Sequence, residues 1–195
     1  MRSILGAMVL AGASASGAWA DMGVLLPLLP QGVAHDAPWS TATAPSGAFA
    51  IGNLDESGSI RYYYLNTAPG HDKLATVRIE VVDGDPKGFA GILFSFEDDS
   101  RHYHVFAVHG DGSYAIYKRD AGGFNTVMST TMDQPVDGEM ELSIEEKGDE
   151  IAFSVNGTRL GSVGSDGIGE GAIGIAVGGI VSATFSDFKL EDASF

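Results

Sequence analysis

No cysteine occurs in the 195 residues. That absence excludes a disulfide framework, a thiolate metal site, a cysteine nucleophile and a lipid-modified N-terminal cysteine. Basic residues are scarce as well: 11 Lys and Arg stand against 26 Asp and Glu, a net charge of −15. A surface of that sign repels nucleic-acid phosphates and anionic headgroups, which argues against a nucleic-acid partner and favours cations and neutral ligands such as sugars. The same charge also serves plain colloidal solubility. No apolar run approaches the roughly 20 residues of a membrane span. After the first 20 positions no segment sustains a helical period.

What is present is glycine, 27 residues of it, with Asp-Gly and Asn-Gly pairs recurring through the second half. That composition suits short strands joined by tight turns. The N-terminus has the layout of a secretory signal peptide over residues 1–20. Arg2 supplies the positive region, Ile4–Ala11 the apolar region, and Ala18-Trp19-Ala20 the small-x-small cleavage site before Asp21. Removing it takes away only Arg2, leaving 10 basic against 26 acidic residues and a charge of −16. The expected location is outside the cytoplasm, periplasmic or extracellular.

Residues 21–45 read as an irregular arm. Val24–Pro30 is apolar, but its prolines break any helix or central strand, leaving an edge strand across the sheet or a docking arm as the options. Residues 46–195 then read as one domain. Phe49-Ala50-Ile51 begins a regular pattern, and Ile60–Leu65 sets Ile60, Tyr62 and Tyr64 against Arg61, Tyr63 and Leu65. Val77, Ile79 and Val81 alternate with Arg78 and Glu80. Phe89–Lys118 predicts three consecutive strands, with Ala90, Ile92, Phe94 and Phe96 on one face of the first and Tyr114 and Ile116 together on the third. Glu139–Glu145 is the cleanest alternation, turning Met140, Leu142 and Ile144 inward. Asn156-Gly157 is the strongest hairpin signal, joining Ile151–Val155 to Thr158–Val163. Ala172–Val177 and Ile180–Leu190 close the chain. This many short strands at regular spacing predicts an all-β fold of two packed antiparallel sheets.

The run Gly91-Ile92-Leu93-Phe94, then Asp98-Asp99, Tyr103, Phe106 and Asp111-Gly112-Ser113-Tyr114, resembles the central hairpin of concanavalin A-like jelly-roll domains. The likeness continues through Phe153-Ser154-Val155-Asn156-Gly157, Gly171-Ala172-Ile173-Gly174 and Phe185-Ser186-Asp187-Phe188, from about Phe49 to Leu190. Within that superfamily the laminin G-like and 3-keto-disaccharide hydrolase domains are the most similar. The resemblance implies a two-sheet jelly-roll sandwich, and it implies little about function, because this architecture hosts lectins, glycanases and adhesion modules.

Superfamily members that cut β-glucans carry a Glu-x-Asp-x-x-Glu strand, and none exists here; Glu80-Val81-Val82-Asp83 has the wrong spacing, and no catalytic residue is assigned. The resemblance to lectins implies calcium at loop carboxylates, with Asp98, Asp99 and Asp111 as candidate ligands beside Asp83, Asp85 and Glu97. Calcium wants about six to eight oxygens, whereas Asp at turns is also ordinary turn chemistry. His102-x-His104 could grip zinc or copper if His71 or a carboxylate added a third ligand; otherwise the two are polar-tipped aromatics at a sheet end. Gly169-x-Gly171-x-x-Gly174 matches a dinucleotide fingerprint only formally, since no helix follows.

A sugar site remains. With Phe94, Phe96, Phe106 and Ile116 in the core, Leu93, Ser95, Glu97, Tyr103, Ala115 and Tyr117 share the opposite face. Arg78, Glu80, Glu97, Tyr103 and Tyr117 are therefore the candidate ligand-binding patch. The competing reading has those tyrosines packing against loops or the N-terminal arm. Three functions follow as alternatives: non-covalent binding of a carbohydrate, an enzyme acting on 3-keto sugars, and a structural or adhesion partner using the apolar arm.

Overall fold

Strands that are apolar on alternate residues bury that side only by closing against a second layer. The computed structural model describes residues 22–54, 58–66, 72–97, 102–131, 138–164 and 171–192. Its strands begin β1 (Val33–Asp36), β2 (Trp39–Thr43), β3 (Phe49–Asn53), β4 (Ile60–Asn66), β5 (Lys73–Gly84), β6 (Phe89–Glu97) and β7 (His102–His109). They continue with β8 (Ser113–Asp120), β9 (Gly123–Thr131), β10 (Met140–Lys147), β11 (Glu150–Val155), β12 (Thr158–Gly164), β13 (Ala172–Gly178) and β14 (Val181–Asp192). One sheet has eight strands in the order β1-β2-β3-β14-β5-β10-β11-β12; the other has six, β4-β13-β6-β7-β8-β9. Neighbours are antiparallel, and the two-sheet sandwich expected from the sequence is the fold observed.

The interior draws on both sheets. Val77, Ile79, Leu142, Phe153 and Phe185 of the eight-stranded sheet meet Ile92, Phe94, Phe106, Ile116 and Ile175 of the six-stranded one in a single cluster. Phe153 ties them directly, its ring 5.3 Å from Phe106 and 5.8 Å from Phe94. Burying each such side chain contributes about 1.5–3 kcal/mol. Met140, Leu142 and Ile144 are buried as the alternation requires. The β11–β12 hairpin turns at Asn156 (φ 48°) and Gly157 (φ 74°), two consecutive left-handed residues whose twist matches that of the flanking strands.

Two expectations need correction. Residues 22–45 are not an irregular arm: Gly23–Leu28 forms a 3-10 helix, and β1 and β2 extend the eight-stranded sheet at its edge. Met22, Leu25 and Leu29 line one face of that turn and are buried in the core, while Pro38 sits in the β1–β2 turn, where its missing N–H costs no ladder bond. Arg61 of β4 clamps the hairpin across the sandwich edge, 2.7 Å from Asp36 and 5.0 Å from the Trp39 ring. The apolar run Val24–Pro30 is thus neither an edge strand nor a free arm along Gly23–Leu28; the edge strands are formed by the residues that follow it.

Phe96 is the second correction. Ser95 adopts φ 52°, and the register with β7 slips between Phe94 and Glu97. One extra residue reverses the side-chain parity, so Phe96 joins Phe89 and Leu93 on the outer face instead of Ile92 and Phe94 inside.

Candidate functional site

The outer face of the six-stranded sheet is where the chain departs from an ordinary sandwich. β13 alternates Ile173, Ile175 and Val177 inward with Ala172, Gly174, Ala176 and Gly178 outward, so its outer side is a floor of small residues. Rings from the neighbouring strands lie over that floor. At Gly178 a Cβ would come within 2.5 Å of the Phe89 ring, so only glycine leaves the ring its place. The cluster on this face comprises Phe89, Leu93, Phe96, Tyr103, Val105, Ala107, Ala172 and Ala176, with Ile60, Tyr62, Tyr64, Tyr117 and Phe124 partly buried around it.

The rings form one continuous ribbon running across the strands. Phe96 lies 4.4 Å from Tyr64 and 4.9 Å from Tyr62, and 5.9 Å from Tyr103. Tyr103 reaches Phe124 at 6.4 Å, and Phe124 stacks on Tyr117 at 4.7 Å. Phe89 closes the far end, stacked on Phe124 at 6.0 Å. Burial raises the pKa of both Tyr103 and Tyr117; the Arg119 charge opposes the rise at Tyr103, and Asp111 adds to it at Tyr117. Both tyrosines thus remain neutral donors and acceptors.

His109 fixes one of these hydroxyls. Its Nδ1 lies 3.0 Å from the Gly88 carbonyl, which can only accept, so Nδ1 carries the proton. In the neutral ring Nε2 is then an acceptor, and Tyr117 donates its O–H to it at 2.9 Å. The Tyr117 oxygen keeps its acceptor capacity, which suits a ligand hydroxyl.

The structure splits the residues chosen from sequence. Tyr103 and Tyr117 share this face and meet through Phe124. Glu97 stands exposed at the end of β6, 3.8 Å from His102. Arg78 and Glu80 do not belong to the patch: β5 lies in the eight-stranded sheet, and both point away from the core on the opposite side of the sandwich. There Arg78 lies 3.4 Å from Glu139, 3.8 Å from Glu141 and 3.6 Å from Asp187. Alternation places side chains on a face without saying which sheet the strand joins. Tyr62, Tyr64, Phe89, Phe96, Phe124 and His109 were missed for a related reason. Most of their strands are apolar on both faces, while Phe124 is a lone ring on the largely polar β9; the available signal was the small-residue alternation of β13.

The metal candidates do not assemble among the described residues, where no three His, Asp or Glu converge. Asp98, Asp99 and His71 lie outside the described residues. The Ser113 side chain, and then the Ser113 N–H that Asp111 accepts at 2.9 Å, hold the Asp111 carboxyl below the usual range. The Asp111 turn and the Glu97–His102 connection sit at opposite ends of β7, eight residues long, a separation of about 26 Å at the usual strand rise. His102 is exposed beside Glu97, whereas His104 is buried and stacked on Phe94 at 5.3 Å. Burial, with help from nearby Lys118 and against Asp120, pushes the His104 pKa down to about 4.

No protein-family model matches the chain, and no curated protein matches it. Solved structures do resemble it. The carbohydrate-binding module CBM66 from Bacillus subtilis superposes with a TM-score of 0.56 at 16% identity, over 83% of this chain and 92% of that one. A galectin-like protein of unknown function from Bacillus subtilis gives 0.57 at 11% identity, over 84% and 97%. A GH43 protein from Bacillus licheniformis gives 0.56 at 14% identity over 82% of this chain, which spans only 37% of that protein's length. At these identities the likeness is one of fold, the concanavalin A-like β-sandwich.

Proposed function

We propose that this protein binds a glycan non-covalently on the outer face of its six-stranded sheet, and that it does so outside the cytoplasm after loss of residues 1–20. One observation carries the reading: the sheet face turned away from the sandwich interior, ordinarily polar in an antiparallel sandwich, is here a ribbon of aromatic rings, buried at Phe89, Phe96 and Tyr103 and partly exposed at Tyr62, Tyr64, Tyr117 and Phe124. Aromatic planes with hydroxyls and a few polar anchors are what recognition of sugar CH faces and hydroxyls requires. A fold shared with a module named for carbohydrate binding supports the assignment. The 3-keto sugar alternative would need paired carboxylates on this face, whereas Glu97 pairs in register with His102, on the side of the sheet opposite Tyr103.

Calorimetric titration with a panel of neutral and charged oligosaccharides tests the proposal. Saturable binding that Tyr117→Ala weakens by about tenfold supports it; no binding to any saccharide, with or without calcium, removes it. A second reading, a partner surface at the N-terminal edge, is favoured by Val24, Leu28 and Val33, which are 57%, 50% and 70% exposed. Serine at those three positions would lower the solution mass if a second copy docks there, and an unchanged monomer mass would discard that reading.

A further inference from the structure

Arg119 stands out on the aromatic face. It is the register partner of Tyr103 on one side and of Phe124 on the other, so its side chain shares their face of the sheet. Three other described arginines have a carboxylate of their own: Arg61 has Asp36, Arg78 has Glu139, and Arg159 has Glu150. Arg119 has neither a hydrogen bond nor an ion pair among the described residues, although acidic side chains outnumber basic ones by more than two to one. Asp120, next along the strand, is turned to Lys118 and to the Gly122 N–H. Glu97, on β6, is turned to His102.

A planar fork of five donors, beside rings and without a counter-ion, is matched by a carboxylate or sulfate and only hydrated by a neutral sugar. Building on the glycan reading above, we propose that the ligand of this face is an anionic polysaccharide, uronate-bearing or sulfated. Arg119 holds its anionic group while a sugar ring lies against Phe124. This reverses the expectation of a neutral ligand drawn from net charge. The overall charge acts at long range and is screened over a length of about 8 Å at physiological salt, whereas the Arg119 contact is local.

The experiment compares polygalacturonate, dextran sulfate and neutral dextran of matched length by calorimetry. It uses the wild type, Arg119→Gln, Arg119→Lys and Tyr117→Ala. The expected result is that one of the two polyanions binds, more weakly as salt rises, and neutral dextran does not. Arg119→Gln should cost about tenfold or more in affinity, and Arg119→Lys less, because it keeps the charge but not the fork. Which polyanion binds separates carboxylate from sulfate. Because the protein is itself strongly acidic, non-specific adhesion to a polyanion is disfavoured and a signal reports a site. Neutral dextran binding as well as either polyanion, or an unaltered Arg119→Gln affinity, would overturn the anionic assignment while leaving the glycan face standing. Failure of every saccharide, with circular dichroism showing folded protein, would overturn both.

Discussion

The two outer faces of this sandwich are built on opposite principles. On the eight-stranded sheet the solvent side is charged and self-neutralising: Arg78 is surrounded by Glu139, Glu141 and Asp187, and Lys189 lies 2.9 Å from Asp187. On the six-stranded sheet the same solvent side carries rings packed on rings over a floor of Ala and Gly. Both faces come from strands with the same period of two. A strand pattern therefore tells which residues travel together, and the composition of each set tells what that face is for. The charged face asks for nothing beyond water, whereas the aromatic face leaves Tyr62, Tyr64, Tyr117 and Phe124 partly exposed for a ligand to cover.

The contrast can be broken most forcefully in the core. Phe106→Ala, at a fully buried site between the sheets, should cost about 3–5 kcal/mol in urea denaturation. Phe124→Ala on the outer ribbon should cost about 1 kcal/mol, since its ring is already partly wet. Equal costs would mean that the outer cluster is a second sealed core and not a binding surface. Next in size is recognition: Tyr117→Ala should weaken glycan binding by about tenfold, or 1.4 kcal/mol, while Arg78→Ala on the other face leaves it unchanged. A loss of affinity in Arg78→Ala would erase the distinction between the faces.

A third test concerns His104, held neutral in the native state to about pH 4 against an ordinary value of 6.5. Between those values the unfolded chain binds more protons, so stability is fully present above about pH 6.5 and drains away toward pH 4. The loss should be on the order of 1–2 kcal/mol once solvent screening near the sheet end is allowed for. His104→Phe keeps the stack on Phe94 and should flatten the dependence of urea midpoints on pH between 4 and 7; an unchanged slope would place the titrating group elsewhere. Smallest is the charged face itself. Glu141→Gln should change stability by less than about 0.5 kcal/mol and lose even that in molar salt, as exposed ion pairs do.

The sandwich was legible in the chain because its causes are local. Met140, Leu142 and Ile144 could be assigned inward from β10 alone, and Asn156-Gly157 announced its hairpin because only small or turn-forming residues accept two successive left-handed conformations. Tyr103 and Tyr117 were legible as a pair since their strands are consecutive. Phe96 was misassigned because a bulge at Ser95 is not visible in an apolar run. Arg78 was misassigned because nothing in its own strand says which sheet it joins. The 3-10 helix escaped detection because Pro27 within it and Pro30 just beyond it argued against regular structure.

By itself the sequence determined the class of fold, the alternating sets of side chains and the absence of thiol chemistry, all of which depend on neighbours a few residues apart. Only the tertiary structure decided which alternating set faces solvent, which strands lie side by side, and hence that Tyr62, Phe96, Tyr103 and Phe124 form one ribbon with Arg119 among them. Those relations are set by pairing between strands far apart in the chain, β4 with β13 and β13 with β6. The free energy that selects such pairings is gained only when both sheets close on a common core.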